Sequence, residues 1–174
     1  MDRRGLAAAV HRASHLTGAF RLRSGRTATE YFDKYRFEAD PAILRPVAEH
    51  AAALVPAGTE VLAGLELGGV PIATALGLVT GLPVAFVRKA AKPYGTQRLA
   101  EGAEIDGRQV LVVEDVVTTG GQVLLSTAEL RQRGARVGHV LCVVDRGEGG
   151  AENLAGAGLT LTALFTADEL VTGR

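Results

Sequence analysis

The sequence predicts an α/β fold, a doubly wound and mainly parallel sheet with helices on both faces. Short apolar runs that suit buried strands alternate along the chain with longer segments of helical periodicity. The predicted strands are apolar on both faces, as expected when helices cover both sides of a sheet. With 174 residues, 47% of them hydrophobic and 22% charged, the chain has the size and composition of a single globular domain.

The first elements are a helix, two strands and a second helix. Residues 1–16 predict a short helix and lack the long apolar core of a signal peptide. Residues 19–25 and 29–37 are typical of a hairpin or a pair of strands. Residues 40–55 predict a helix because they open with Asp40 as N-cap and a proline at the first helical position.

Residues 61–87 contain a single charged residue and could be mistaken for a membrane span. Glycines and prolines interrupt the stretch at positions that one continuous helix would not tolerate. It divides more naturally into a strand at 60–66, a helix at 69–81 and a strand at 83–89. We therefore predict a buried βαβ unit and reject the membrane interpretation.

The remaining chain continues the alternation of strands and helices. The predicted elements are a strand at 109–114, a helix at 120–134 and strands at 136–145 and 159–165. Thr166 and Glu169 form a capping box for a short terminal helix. In doubly wound sheets, ligands bind beyond the carboxyl ends of the strands, which is where the strand at 109–114 ends.

The segment VLVVEDVVTTGGQ at 110–122 carries the clearest chemical pattern. Two adjacent carboxylates, Glu114 and Asp115, repel each other, so we expect the pair to face either open water or a ligand. A carboxylate can accept hydrogen bonds from the vicinal diol of a ribose. The turn 118–121 opens a helix, and its main-chain N–H groups can cradle a phosphate. Together they predict a ribose 5-phosphate site; the alternative is an ordinary strand–loop–helix junction.

A cluster of cations forms the second pattern. Arg88, Lys89, Lys92 and Arg98 lie in a stretch broken by proline and glycine, which predicts a mobile loop. Cations on a closing loop can stabilise charge that develops on a pyrophosphate leaving group. The alternative is a solvated basic loop with no ligand.

These residues resemble a known family. VLVVEDVVTTGG resembles the phosphoribosyl pyrophosphate (PRPP) motif of type I phosphoribosyltransferases. FRLRSGRTATEYFD, GLELGGVPIA, RKAAKPYGTQRLAEG and the arginine after HVLCVVD narrow the resemblance to the orotate phosphoribosyltransferase family. It implies the type I phosphoribosyltransferase fold in one domain of residues 1–174, with a small N-terminal hood at about 1–38 and an α/β core at 39–174.

The resemblance also implies an activity and its site residues. The activity is transfer of the phosphoribosyl group of PRPP to orotate, with Mg²⁺ held mainly by PRPP rather than by protein ligands. Lys89, Lys92 and Asp115 would be catalytic. Orotate would lie against Tyr31, Phe32, Thr118 and Arg146. The implied PRPP-binding residues are Arg23, Arg88, Lys89, Lys92, Tyr94, Glu114, Asp115, Val116, Val117, Thr118, Thr119, Gly120, Gly121 and Gln122.

We call the stretch from Arg88 to Arg98 the lysine loop. In this family it reaches the neighbouring subunit, so the resemblance implies a homodimer with shared active sites. Arg88, Lys92 and Tyr94 would act across the interface, and Lys89 in its own chain. The sequence departs from the family at Tyr94, where many members have histidine. It departs again at 67–68, where some members have a Tyr-Lys pair in place of Leu-Gly.

Charge and cysteine content limit the alternatives. Lys plus Arg equals Asp plus Glu at 19 each, so we expect no nucleic-acid partner. A single cysteine, Cys142, in an apolar run favours a reducing, cytoplasmic location and a place in the core. His11 and His15 are spaced for a metal but lack a third ligand, which favours a solvent-facing pair. The remaining alternatives are a phosphoribosyltransferase for a purine or uracil and a PRPP-sensing regulator.

Overall fold

A six-stranded sheet forms the centre of the fold in this computed structural model, which describes residues 1–21, 25–90 and 99–172. Its strand order is β5-β4-β3-β6-β7-β8. All neighbouring pairs are parallel except β4 and β5, which are antiparallel. The strands are β3 Val61–Leu65, β4 Val84–Val87, β5 Ala100–Gly102, β6 Gln109–Val117, β7 Arg136–Asp145 and β8 Thr160–Thr166.

Helices cover both faces of this sheet. On one face, Leu111 and Val113 of β6 pack in a core with residues of five helices; on the other, Val110 and Val112 pack with residues of two. This arrangement confirms the predicted doubly wound α/β fold. The first face carries α1 Arg3–Ser14, α2 Tyr35–Glu38, α3 Pro41–Ala52, α4 Gly69–Thr80 and α7 Ala167–Thr172, and the second carries α5 Gly121–Gln132 and α6 Gly150–Gly156.

The N-terminal segment adds a small antiparallel pair of strands to this core. β1 His15–Arg21 pairs with β2 Thr27–Phe32, which confirms the predicted pair of strands, although β1 begins four residues before the predicted start at 19. Leu6 and Val10 of α1 are fully buried in the same core as α3 and α4. The N-terminal segment is therefore packed onto the sheet by α1, and the hood boundary at residue 38 stays a prediction.

The predicted helix caps are present where the sequence places them. The Asp40 carboxylate accepts a hydrogen bond from the Ala42 N–H at 2.9 Å at the start of α3. At α7, the Thr166 N–H donates to the Glu169 carboxylate at 2.7 Å, and the Glu169 N–H donates to the Thr166 hydroxyl at 3.2 Å. These reciprocal bonds are the predicted capping box.

The apolar stretch at 61–87 divides into β3, α4 and β4, as predicted. Gly69 allows α4 to lie against β6, because a Cβ there would overlap the Val113 carbonyl oxygen. Within the three described ranges, no helix has the length and apolar character needed to cross a membrane.

Three elements differ from the prediction. The strand expected at 29–37 ends at Phe32, and the chain then turns into α2, where Phe37 is fully buried. The prediction of one strand was wrong because Lys34, Phe37 and Glu38 share one helical face that packs inward. β5 and α6 were not predicted, since the first is a three-residue edge strand and the second lies in a glycine-rich stretch.

Candidate active site

The main cleft lies beyond the carboxyl end of β6, as expected for a doubly wound sheet. It has a volume of about 320 Å³. β6, the loop into α5, the start of α2, the loop before α4 and the residues after β4 all contribute to its wall. The lining residues are Lys34, Tyr35, Glu66, Leu67, Lys89, Glu114, Val116, Val117, Thr118, Thr119, Gly120, Gly121, Gln122 and Val123.

The loop into α5 has the geometry of an anion cradle. Gly120, the N-cap of α5, adopts a left-handed conformation with φ of 78°. No described side chain caps this helix, so its first N–H groups and its positive dipole end face the cleft. The exposed hydroxyls of Thr118 and Thr119 lie beside them. A phosphate is the ligand that such a site accepts most readily.

The two carboxylates lie inside β6 rather than after it. β6 continues to Val117, so Glu114 and Asp115 are adjacent strand residues, and the Asp115 N–H donates to Glu114 Oε1 at 3.1 Å. Glu114 is 8% exposed and lines the main cleft, whereas Asp115 is 0% exposed and does not. Asp115 therefore does not face open water, and β6 is three residues longer than the sequence pattern indicated. The expectation that the pair meets a ligand stays a prediction.

Asp115 is held instead by the N-terminal segment. The Lys34 Nζ lies 2.6 Å from Asp115 Oδ2, and the Val116 N–H donates to Asp115 Oδ1 at 2.5 Å. Glu38, from the same turn of α2 as Lys34, is buried next to Asp115. We call Lys34, Glu38, Glu114 and Asp115 the buried acidic cluster.

Proton uptake keeps this cluster close to electrical neutrality. Burial, together with the Asp115 carboxylate, raises the pKa values of Glu38 and Glu114 to about 9. Burial also opposes ionisation of Asp115, but the Glu114 carboxyl and the Lys34 ammonium outweigh it, and the pKa of Asp115 lies below its ordinary value. Burial opposes the charge of Lys34 as well, but Asp115 outweighs it and raises the Lys34 pKa. At neutral pH the cluster therefore holds one carboxylate and one ammonium.

Several predicted PRPP residues lie outside the main cleft or outside the described ranges. Lys89 lines the cleft. Arg88 begins the lysine loop and lies with its Nε 3.9 Å from Glu101 Oε1, which makes a long ion pair. Arg23, Lys92 and Tyr94 fall outside the described residues.

A second cleft, of about 310 Å³, brings the predicted orotate residues together. Tyr31, Phe32 and Arg146 all line it, whereas Thr118 lines the main cleft. Arg146 of the second cleft and Val117 of the main cleft are joined by a hydrogen bond, in which the Arg146 N–H donates to the Val117 carbonyl at 2.9 Å. The Arg146 side chain is 41% exposed, and its Nη2 lies 3.5 Å from Glu148 Oε1. Arg146 is thus available to a ligand with its guanidinium loosely paired.

Two histidines form part of the same second cleft. The rings of His11 and His15 stack with centroids 4.9 Å apart, and His15 Nε2 lies 3.5 Å from Glu30 Oε2. Both line the cleft and are half-buried, so the expectation of a solvent-facing pair holds only in part. Among the described residues no group of three or more His, Cys, Asp and Glu side chains is arranged to hold a metal ion.

Cys142 occupies the core, as its apolar context predicts. The side chain is 1% exposed, and burial raises the pKa of its thiol above the ordinary value. A buried neutral thiol is a poor nucleophile.

Sequence reasoning missed Lys34 and Glu38. The signal was present in DKYRFE, where Lys34, Phe37 and Glu38 have the i, i+3, i+4 spacing of one helical face. The strand interpretation placed these residues on alternating faces and hid the group.

The fold and the main cleft define the phosphoribosyltransferase class. The family described as "Phosphoribosyl transferase domain" matches residues 35–163. This range contains the six-stranded sheet up to the middle of β8, together with the cradle and the carboxylates.

Relatives narrow the class further. An orotate phosphoribosyltransferase of Nocardioides sp. is 52% identical over 97% of this chain and 94% of its own length. One of Methanocella arvoryzae is 46% identical over 88% of each chain. The crystal structure of Mycobacterium tuberculosis orotate phosphoribosyltransferase in complex with PRPP aligns at 32% identity with a TM-score of 0.85, covering 98% of this chain and 99% of that one. The chain belongs to the orotate phosphoribosyltransferase family.

Proposed function

We propose that this protein transfers the phosphoribosyl group of PRPP to orotate, giving orotidine 5′-monophosphate and pyrophosphate. The observation that carries the proposal is the main cleft, where an uncapped helix N-terminus, the Glu114 carboxyl and the Lys89 ammonium converge. These groups match the phosphate, the ribose and the pyrophosphate of one substrate. The relatives at up to 52% identity carry the same activity in their names.

The cradle before α5 holds the 5′-phosphate. The main-chain N–H groups that follow Gly120 and the hydroxyls of Thr118 and Thr119 supply donors without the cost of reorganising at the moment of reaction. Gln122 extends the same wall, with its Nε2 3.2 Å from the Ser126 hydroxyl.

The β6 carboxylates position the ribose. Glu114 faces the cleft and accepts hydrogen bonds from the ribose hydroxyls once it is ionised. Asp115 is buried beside Glu114 and acts on the substrate through its ion pair with Lys34.

Cations of the lysine loop stabilise the departing pyrophosphate. Lys89 lines the cleft in its own chain, and Arg88, Lys92 and Tyr94 come from the partner in a homodimer. The C1–O bond of PRPP breaks as negative charge grows on pyrophosphate and oxocarbenium character grows on the ribose. N1 of orotate then attacks C1, and its proton passes to the departing pyrophosphate, so catalysis is mainly positioning and electrostatic stabilisation.

The orotate carboxylate pairs with Arg146 in the second cleft, next to Tyr31 and Phe32. A guanidinium can hold a carboxylate through two parallel hydrogen bonds, and a neutral base offers no such partner. Thr118 lines the main cleft and contacts the base from that side.

The residues present fit a Mg²⁺ ion that arrives with PRPP. The carboxyl groups that line the main cleft in the described ranges are Glu66 and Glu114, too few for a protein-built magnesium site. The oxygens of pyrophosphate and ribose would supply most ligands, and these two side chains the remainder. When bound, the ion neutralises charge on the substrate.

The same proposal includes a cytoplasmic enzyme of pyrimidine synthesis. It rests on the single, buried cysteine and on the relatives' names.

Release of pyrophosphate from PRPP and Mg²⁺ in the presence of different bases tests the function. We expect release with orotate and little with uracil, guanine, hypoxanthine or adenine. Preference for a purine or for uracil would assign the protein to another branch of the class. A protein that binds PRPP but releases pyrophosphate with none of the bases would be a PRPP sensor.

A further inference from the structure

We propose that Lys34 is a further substrate-binding residue, whose ammonium contacts the pyrophosphate of PRPP in the main cleft. In this arrangement Asp115 is the positioning residue that holds Lys34 at the cleft wall. The inference rests on the proposed function and assigns a binding group to the N-terminal segment.

Lys34 lies between the buried Asp115 carboxylate and the main cleft. Its side chain is 32% exposed and lines the main cleft, while its partner Asp115 is 0% exposed. The Nζ lies 2.6 Å from Asp115 Oδ2 and 5.4 Å from the centroid of the Tyr35 ring. An ammonium has three N–H donors, so the ion pair with Asp115 leaves donors available to an anion in the cleft.

The distribution of cations in the main cleft supports a contact between Lys34 and pyrophosphate. Among the described lining residues, Lys34 and Lys89 are the cations, and they come from different elements of the fold. The helix N-terminus accounts for one phosphate of PRPP, so the pyrophosphate at the other end of the substrate needs cations of its own. The sequence contains three lysines, and Lys34 is the one outside the lysine loop.

Packing fixes Lys34 in place. Phe37, one turn further along α2, is fully buried and anchors the helix against the core. The absence of a side chain at Gly68 leaves room for the buried acidic cluster. A Cβ at that position would overlap the Asp115 carboxylate and lie 3.0 Å from Glu38 Oε1. Lys34 therefore approaches the cleft on a short rigid helix, which lowers the entropy cost of binding an anion.

Calorimetric titration with pyrophosphate, ribose 5-phosphate and PRPP, each with Mg²⁺, tests the inference. The Lys34→Met variant should bind pyrophosphate and PRPP about 10- to 100-fold more weakly, as expected for loss of a charge-assisted hydrogen bond. Its affinity for ribose 5-phosphate should stay within about twofold. Arg45→Met removes an exposed cation of α3 that pairs with Glu49 and serves as the matched control.

A double variant separates binding from mere neutralisation of Asp115. Lys34→Met/Asp115→Asn removes both charges of the buried pair, so no unpaired carboxylate remains to disturb the fold. We expect it to bind pyrophosphate about 10-fold or more weakly than Asp115→Asn alone. Equal affinities of the double and single variants would overturn the inference and reduce Lys34 to a counterion.

The outcome for the wild-type protein distinguishes this inference from the proposed function. If wild-type protein forms orotidine 5′-monophosphate while Lys34→Met retains full pyrophosphate affinity, the inference alone fails. If wild-type protein binds neither PRPP nor pyrophosphate, the proposed function fails and the inference fails with it.

Discussion

At the scale of single residues, the buried acidic cluster shows how a strand can carry two adjacent carboxyl groups. Asp115 receives an ion pair from Lys34, and its main-chain N–H donates to the Glu114 carboxyl. Glu114 and Glu38 avoid the cost of a buried charge by holding protons, as their pKa values of about 9 indicate. Substrate and metal ion can later shift this balance by bringing charge of either sign into the cleft.

The protonation of Glu38 predicts a pH dependence of stability. Its folded-state pKa of about 9 lies above the ordinary value of 4.5, so the folded state holds a proton that the unfolded state releases between these values. The free energy of unfolding should therefore fall as pH rises from about 5 to about 9. Glu38→Gln is neutral in both states, so its slope should be shallower by up to about 1.4 kcal/mol per pH unit. Glu114 contributes a similar slope that remains in the variant.

Urea unfolding at several pH values measures this effect. Glu49→Gln, which replaces an exposed glutamate of α3, is the control and should keep the wild-type slope. Identical slopes for wild type and Glu38→Gln would mean that Glu38 is ionised in the folded protein.

Arg146 carries the prediction for base recognition. Loss of a charge pair with the orotate carboxylate should cost about 2–5 kcal/mol, which lowers kcat/KM for orotate by about 30-fold to several thousand-fold in Arg146→Leu. PRPP affinity should change little, because the main cleft is built by other residues. Steady-state kinetics with each substrate varied in turn measures both. A variant as active on orotate as the wild type would remove Arg146 from the site.

At the scale of elements, the long periodic segments were predictable and the short irregular ones were not. β7 is confirmed at both bounds, 136 and 145, because it is a continuous apolar run with turn residues on either side. α3 and α7 begin where their caps were predicted. The three-residue β5 is stabilised by pairing with β4, which no local pattern encodes.

The end of β6 shows why part of the site could not be predicted. A pair of carboxylates after an apolar run is typical of a strand end, and the prediction followed that rule. The strand instead continues past both carboxylates. The Lys34 ammonium, from a segment some eighty residues away in sequence, makes burial of Asp115 possible. Such a long-range ion pair leaves no trace in the local pattern of residues 110–122. The cradle at 118–121, by contrast, depends on local backbone geometry, and its position was predicted correctly.

The backbone geometry of the cradle predicts that alanine substitutions at its two adjacent glycines differ in their effect on stability. Gly120 has φ of 78°, and a Cβ there would lie 3.2 Å from Leu154 Cγ. Gly120→Ala should lower the free energy of unfolding by roughly 1–2 kcal/mol. Gly121 lies in the first turn of α5, where an added Cβ would come no closer than 3.9 Å to the Thr119 hydroxyl. Gly121→Ala should therefore leave stability unchanged or raise it. Equal losses in both variants would contradict the left-handed conformation at Gly120.

At the scale of the whole molecule, the fold places two clefts beyond the carboxyl ends of its central strands β6 and β7. The α5 cradle and Lys89 belong to the main cleft, and Arg146 with the N-terminal strands belongs to the second. The carboxyl ends of β6 and β7 hold the clefts in fixed relation, through the Arg146 N–H and the Val117 carbonyl. A phosphoribosyl donor and a base can therefore meet at one edge without movement of the sheet.

Shared active sites in a homodimer give the prediction at this scale. We expect Lys92→Ala and Asp115→Asn homodimers each to be nearly inactive. A mixture of the two under subunit exchange should regain activity, since one site of each heterodimer would draw an intact loop and an intact PRPP motif from different chains. Turnover measured before and after exchange tests this. No recovery would mean that the loop acts within its own chain or that the protein is a monomer.

Competition between bases measures the transfer of the phosphoribosyl group of PRPP to orotate. Orotate, uracil and adenine are offered together to the wild-type protein with PRPP and Mg²⁺, and the nucleotide products are identified by mass. We expect orotidine 5′-monophosphate as the dominant product, formed along with an equal amount of pyrophosphate. A dominant product from uracil or adenine, or no nucleotide at all, would contradict it.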